Sequence, residues 1–248
     1  MVVESTCLFQ IQRLYMPTQN LSSSGNTFLR AAAVCCFLTV LTTLGIHLLF
    51  TSFGGDFASS VYLFNNNAYI LSKFWVILHG ILVFIAMTGL FQLLYQQTPG
   101  LSIIGLFFYG AFALTEIARQ MFVLFYVNKL RAMYVEQVNP VLKEQIRHDI
   151  ENFAFISDAL FGIFILSFSI GNFFYGLSML KQQNFGKLLG TLLLLWAGFS
   201  FLSFSNEFIQ SESISSFSKL GNTIFQPVMR LLLAIWLWKQ TPLFNSKS

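Results

Sequence analysis

The sequence predicts an all-α membrane protein, a bundle of six transmembrane helices, and three observations carry that prediction. Six long apolar runs fill most of the 248 residues. Only 10% of the chain is charged and 55% is hydrophobic, whereas a soluble domain needs about 25% charged residues to cover its surface. Mean hydropathy is +0.67. A span takes about 20 apolar residues, because a helix rises about 1.5 Å per residue across a hydrocarbon core about 30 Å thick. Six spans and their loops consume the chain and leave no room for a separate soluble catalytic domain.

Residues 1–26 read as a polar N-terminal lead-in. Leu8, Ile11 and Tyr15 share a helical spacing that suits a short interfacial helix, and Pro17 with the polar stretch Asn20 to Asn26 suits a flexible approach. The first apolar run starts late and no small-residue cleavage site follows it, so it reads as a retained span, not a secretory signal. The membrane domain covers residues 27–240. Span one takes residues 27–53 and ends at Gly54-Gly55. A polar loop containing Asn65-Asn66-Asn67 leads to span two, 69–96, which Thr98-Pro99-Gly100 closes as a tight turn. Span three takes 101–130. Asn139-Pro140 reads as an N-cap with proline in the first turn. No proline follows until past Leu180, which predicts one long helix: an amphipathic, solvent-facing start running into span four, 151–180. Span five takes 185–204 and span six 220–240, where Pro227 predicts a kink. Residues 241–248 form a tail. Lys and Arg divide evenly between the two sides, and both termini are assigned to the cytoplasm.

Charges inside the spans point to an interior site. An ionised side chain at mid-membrane costs at least about 2.5 kcal/mol, so it turns inward and finds a partner. Glu116 and Arg119 stand three apart in span three, within contact distance. At about 100° per residue, Gly105, Tyr109, Glu116 and Gln120 fall on one stripe with Arg119 at its flank, opposite a side of Phe, Leu and Met. In span four, Asp158, Gly162, Ser169, Asn172 and Gly176 share a stripe, and Glu144 and Glu151 extend it towards water as an acidic track. Span six contributes Arg230, with Thr223 and Gln226 on its side. The expected result is one buried polar core of Glu116, Arg119, Gln120, Asp158, Asn172 and Arg230, in which Arg230 pairs with Asp158 or Glu116. Gly186 and Gly190 read as a small-residue helix contact.

Other chemistries find less support. His47 and His79 are the only candidate haem ligands in the spans, yet their depths differ by roughly 7–8 Å at 1.5 Å per residue, and bis-imidazole ligation needs matching depth. Gly198-Phe199-Ser200-Phe201 lacks the second glycine and later histidine of a membrane serine protease. There is no paired zinc motif, aspartate protease pair or phosphate-binding loop. The three cysteines, Cys7, Cys35 and Cys36, form neither a disulfide framework nor a metal spacing. A formal net charge of +4 without a basic cluster gives no argument for nucleic acid. No catalytic residue and no cofactor is assigned.

Arg30-Ala31-Ala32 opening span one, Gly171-Asn172 and Tyr175-Gly176-Leu177 closing span four before a short basic loop, and the Gly- and Leu-rich fifth span from Gly186 give the chain a family texture. It resembles the bacterial six-span membrane proteins known only as a domain of unknown function. The resemblance covers roughly residues 27–240 and implies a six-helix bundle in a bacterial inner membrane; it implies no activity and transfers no site residue. The leading functional expectation is therefore a transport-like bundle whose polar core receives a small ligand or a proton. The alternatives are a structural or partner-binding bundle whose charges only fix packing, and a membrane redox or haem protein. The expected partners are the lipid bilayer and a small molecule or proton, and oligomeric state is left open.

Overall fold

The computed structural model of the protein describes residues 23–50, 53 and 55–241. It is all-α, with no strand among the described residues. Five helices are long and apolar enough to cross a membrane: Gly25–Ile46, Asn67–Leu94, Pro99–Glu136, Pro140–Met179 and Phe185–Ile209. The chain is an integral membrane protein. The lead-in up to residue 22, including Cys7, and the tail beyond Thr241 lie outside the described residues.

Local sequence sets the helix boundaries. Helix α1 (Ser23–Leu48) is followed by a short turn of helix, α2 (Phe57–Ser60), capped by Asp56, whose side chain accepts the Ser59 N–H at 3.0 Å. Asn66 caps α3 (Asn67–Leu94) by accepting the Tyr69 N–H at 3.0 Å. Pro99 starts α4 (Pro99–Phe122), where its missing N–H sacrifices no bond. A π-turn over Val123–Val127 then passes the chain into α5 (Asn128–Glu136). Asn139 caps α6 (Pro140–Met179) through the Val141 N–H at 2.9 Å. At 40 residues α6 is the predicted uninterrupted helix, about 60 Å long. Helix α7 (Phe185–Ile209) stops at Gln210, which takes a left-handed conformation (φ 53°). Next come α8 (Glu212–Leu220), a π-turn over Gly221–Phe225 and α9 (Gln226–Gln240).

The sixth segment departs from expectation. Pro227 is the second residue of α9, directly after the π-turn. The wide turn takes up the irregularity one step earlier than Pro227 itself, because a proline in a first turn lacks only an N–H that would be unpaired anyway.

The six principal helices close into a ring. Each of α1, α3, α4, α6 and α7 packs on the next in chain order, and α9 packs on both α7 and α1. Outward-facing side chains are apolar, with Leu41, Phe74, Phe107, Leu114 and Leu195 exposed, as a lipid-facing surface requires. The centre holds Tyr109, Tyr175, Trp196 and Arg230, each 0% exposed. Gly105 is part of this packing: a Cβ there would stand 2.5 Å from the Tyr175 ring. That ring stacks on Tyr109 at 5.4 Å, and its hydroxyl donates to the Met87 carbonyl at 3.1 Å.

Candidate functional site

The stripe predicted on span three exists. Gly105, Tyr109, Glu116 and Gln120 are all buried, and Arg119 sits at the flank with a side chain 23% exposed. Glu116 Oε1 accepts from Arg119 Nη2 at 2.9 Å and from Gln120 Nε2 at 2.7 Å. Both donors lie on the same helix as the carboxylate. The Arg119 guanidinium also covers the Phe161 ring of α6 at 5.0 Å. Glu116 Oε2, Gln120 Oε1 and Arg119 Nε are buried with no protein hydrogen-bond partner.

Two cations that the sequence analysis had counted only for orientation border this station. Arg131 is 9% exposed; its Nη1 donates to the Tyr69 hydroxyl and to Asn128 Oδ1, each at 3.0 Å. Lys73 Nζ stands over the same Tyr69 ring at 4.5 Å. Lys73 experiences repulsion from Arg119 and Arg131 and attraction from Glu116. Lys73 is thus within electrostatic reach of Glu116, Arg119 and Arg131. The tyrosine at position 69 was the missed signal, since one turn separates it from Lys73 on α3.

The deeper station is centred on Arg230, which is fully buried as expected. Its predicted partners are not there. Arg230 forms no ion pair with Asp158 or Glu116; its guanidinium lies over the Trp196 ring at 5.4 Å. Trp196 in turn meets Phe168 edge-on at 4.9 Å and Phe225 at 6.2 Å. Asn172, also fully buried, accepts from the Tyr109 hydroxyl at 2.6 Å. Four donor atoms here, Arg230 Nε, Arg230 Nη1, Trp196 Nε1 and Asn172 Nδ2, are buried without a protein acceptor. The balance is unfavourable as it stands. A desolvated cation–π contact gives about 2 kcal/mol, while taking an ion out of water costs several.

Asp158 is a correction. It is exposed and makes no ion pair among the described residues. Gly162, one turn further along α6, still faces Phe204 of α7, but the neighbouring Phe155 and Ile156 are exposed as well. A helical projection gives the angle of a side chain and not whether another helix stands opposite at that depth. The acidic track upstream is likewise a surface feature: Arg147 Nε holds Glu151 Oε1 at 2.9 Å, and all of Glu144, Arg147, His148 and Glu151 are substantially exposed. We predict that Asp158→Asn leaves the melting temperature in detergent unreduced, as an exposed substitution should, within about 0.5 kcal/mol; a loss of several degrees would place Asp158 back in a buried pair.

The expected single network is therefore two stations. Glu116 and Tyr109 are seven residues apart on α4, about 10 Å along its axis. Between them lies a ladder of rings: Phe161 stacks on Phe164 at 5.8 Å, Phe164 on Phe112 at 4.6 Å, and Phe112 meets Phe168 at 5.2 Å. His79 lies within electrostatic reach of Arg230. His79 is buried with Nδ1 2.7 Å from Thr42 Oγ1, and the side chain of His47 lies outside the described residues. No group of three metal-binding side chains occurs among the described residues. No family model, curated protein or solved structure matches the chain.

Proposed function

We propose that the protein is a six-span, transport-like bundle of a bacterial inner membrane, with both termini cytoplasmic, whose Glu116 station takes up a small hydrogen-bond-donating ligand or a proton. The sixth span in this reading is α9, joined through its π-turn to α8, and the bacterial setting rests on the family resemblance alone. One observation carries the functional part. Among the described residues the buried carboxylate is hydrogen-bonded only to Arg119 and Gln120 of its own helix, so no hydrogen bond from it joins α4 to α3 or α6, and the pair meets α6 only where Arg119 covers the Phe161 ring. A purely structural ion pair gains its value by joining helices or fixing their register. Here the acceptors Glu116 Oε2 and Gln120 Oε1 are left over, and burying them unpaired costs about 1–3 kcal/mol each.

The charge balance narrows the ligand. Arg119, paired with the carboxylate, and Lys73, within its electrostatic reach, repel a further cation, so a neutral hydroxyl- or amide-bearing molecule fits better, or a proton delivered to Glu116. The Phe112–Phe161–Phe164–Phe168 rings stand between this station and the bundle centre, and traffic between the two needs those rings to turn.

The test is water access. In reconstituted protein lacking Cys7, Cys35 and Cys36, a cysteine at Gln120 is expected to react with a membrane-impermeant thiol reagent from one side of the bilayer. Protection that disappears only on denaturation would mean a sealed station and would reject the reading. Reporters fused at the two ends test the span count independently, since six spans put both ends on one side.

A further inference from the structure

We infer that the centre of the bundle binds a compact anion, a halide or the carboxylate of a small organic acid, held by Arg230 and Trp196 with Asn172 at its border. The inference concerns a different place and a different ligand charge from the Glu116 station, and stands or falls separately.

A guanidinium cannot shed its proton, and Arg230 is 0% exposed with no carboxylate paired to it among the described residues. The two acids expected to pair with it do not serve it: Glu116 is engaged by Arg119 at the other station, and Asp158 is exposed. The Trp196 ring face is its one favourable electrostatic contact that the geometry defines, and a ring quadrupole does not replace a counter-charge.

Arg230 Nε, Arg230 Nη1 and Trp196 Nε1 are all donors, and none has an acceptor. Asn172 adds a fourth, because its Oδ1 is taken by the Tyr109 hydroxyl and its amide Nδ2 is left over. Tyr109 lies within electrostatic reach of Arg230, which places Asn172 at the edge of the same cluster. The Cys36 thiol is occupied as well, donating to the Arg230 carbonyl at 3.3 Å. A site with only donors left matches a ligand with only acceptors. Phosphate dianions are poorly suited, since one guanidinium supplies one charge. The Phe168 and Phe225 rings pack against Trp196, and such apolar neighbours offer no hydrogen bonds to a large polar anion.

The position is central: Arg230 of α9 touches α1 through Cys36 and α7 through Trp196, and the ring cluster continues through Phe168 of α6 to Tyr109 of α4. An ion held by Arg230, Trp196 and Asn172 would join α9, α7 and α6 at a common centre.

The experiment uses the purified full-length protein in detergent, with chloride, iodide or acetate titrated against gluconate at constant ionic strength. Melting temperature and tryptophan fluorescence are recorded. A saturable rise in melting temperature is expected with chloride or acetate, and the stronger of the two identifies halide or carboxylate. Iodide is expected to quench a saturable fraction of the fluorescence. In Arg230→Gln the midpoint of the response should move at least ten-fold or vanish. Trp196→Phe retains the ring, is expected to fold, and should lose the saturable quenching while weakening the chloride or acetate midpoint. The absence of any saturable response, or one that survives both substitutions, assigns the effect to surface cations and overturns the proposal. Should Arg230→Gln fail to fold, Trp196→Phe alone decides: an unchanged midpoint overturns it.

Discussion

Gly190→Ala is expected to be the most damaging small substitution in the protein. A Cβ at Gly190 would lie 2.8 Å from the Leu180 nitrogen, 2.9 Å from the Gly176 oxygen and 2.9 Å from the Met179 carbonyl carbon. All three are backbone atoms, so no rotamer change relieves the contact, and α6 and α7 must separate. Overpacking that leaves side chains free to adjust costs about 1–3 kcal/mol; here the upper end, about 3 kcal/mol, is expected. Dispersion between close backbones is what holds membrane helices together, since lipid supplies no hydrophobic drive between them. The loss should therefore appear as a lowered melting temperature in detergent. Gly198→Ala is the control. A Cβ there has nothing within 4 Å, and helix propensity favours alanine by up to about 1 kcal/mol. Equal effects at the two positions would refute the close-contact argument.

The second large effect is at Glu116. Glu116→Gln keeps the shape of the side chain but removes the charge opposite Arg119, leaving a guanidinium without a counter-charge. Breaking a fully buried pair in this way costs about 3–5 kcal/mol. Arg119 is 23% exposed, so part of its charge is solvated, and about 2 kcal/mol is the expected loss. The double variant Glu116→Gln with Arg119→Gln should recover part of that loss, because it removes the guanidinium that would otherwise be left unpaired, and chemical denaturation of the unaltered protein, both single variants and the double variant measures the coupling. If the single variant is as stable as the unaltered protein, Glu116 already reaches water, and its interior placement would be wrong even though access to the station would be easier.

The contrast between the two stations explains how far the sequence could be read. Glu116, Arg119 and Gln120 were legible because they lie on one helix, where spacing alone dictates distance. The burial of Tyr109 and Asn172 was legible too, since a polar group on an otherwise apolar span has to face protein. Asp158 was misplaced and Arg230 was given the wrong company. Each error needed information about a second helix: whether α7 still stands opposite Asp158, and which of several interior side chains comes nearest to Arg230. Trp196 carried no warning of its role, because one aromatic residue among many in an apolar span looks like any other. Lys73 and Arg131 looked like span-end charges until the fold brought both to the Tyr69 ring.

By itself the sequence determined that the chain is helical and lives in a membrane, where most of its helices begin, and that Pro140 to Met179 is unbroken, because backbone satisfaction in lipid, capping residues and the placement of proline act within one segment. Only the tertiary structure decided the ring order of the helices, the Gly176–Gly190 contact, the separation of the polar groups into two stations and the solitary guanidinium at the centre. Those depend on pairing between segments far apart in the chain. In a membrane that pairing is chosen by close packing, because lipid and protein interior are equally apolar and hydropathy does not distinguish one neighbour from another.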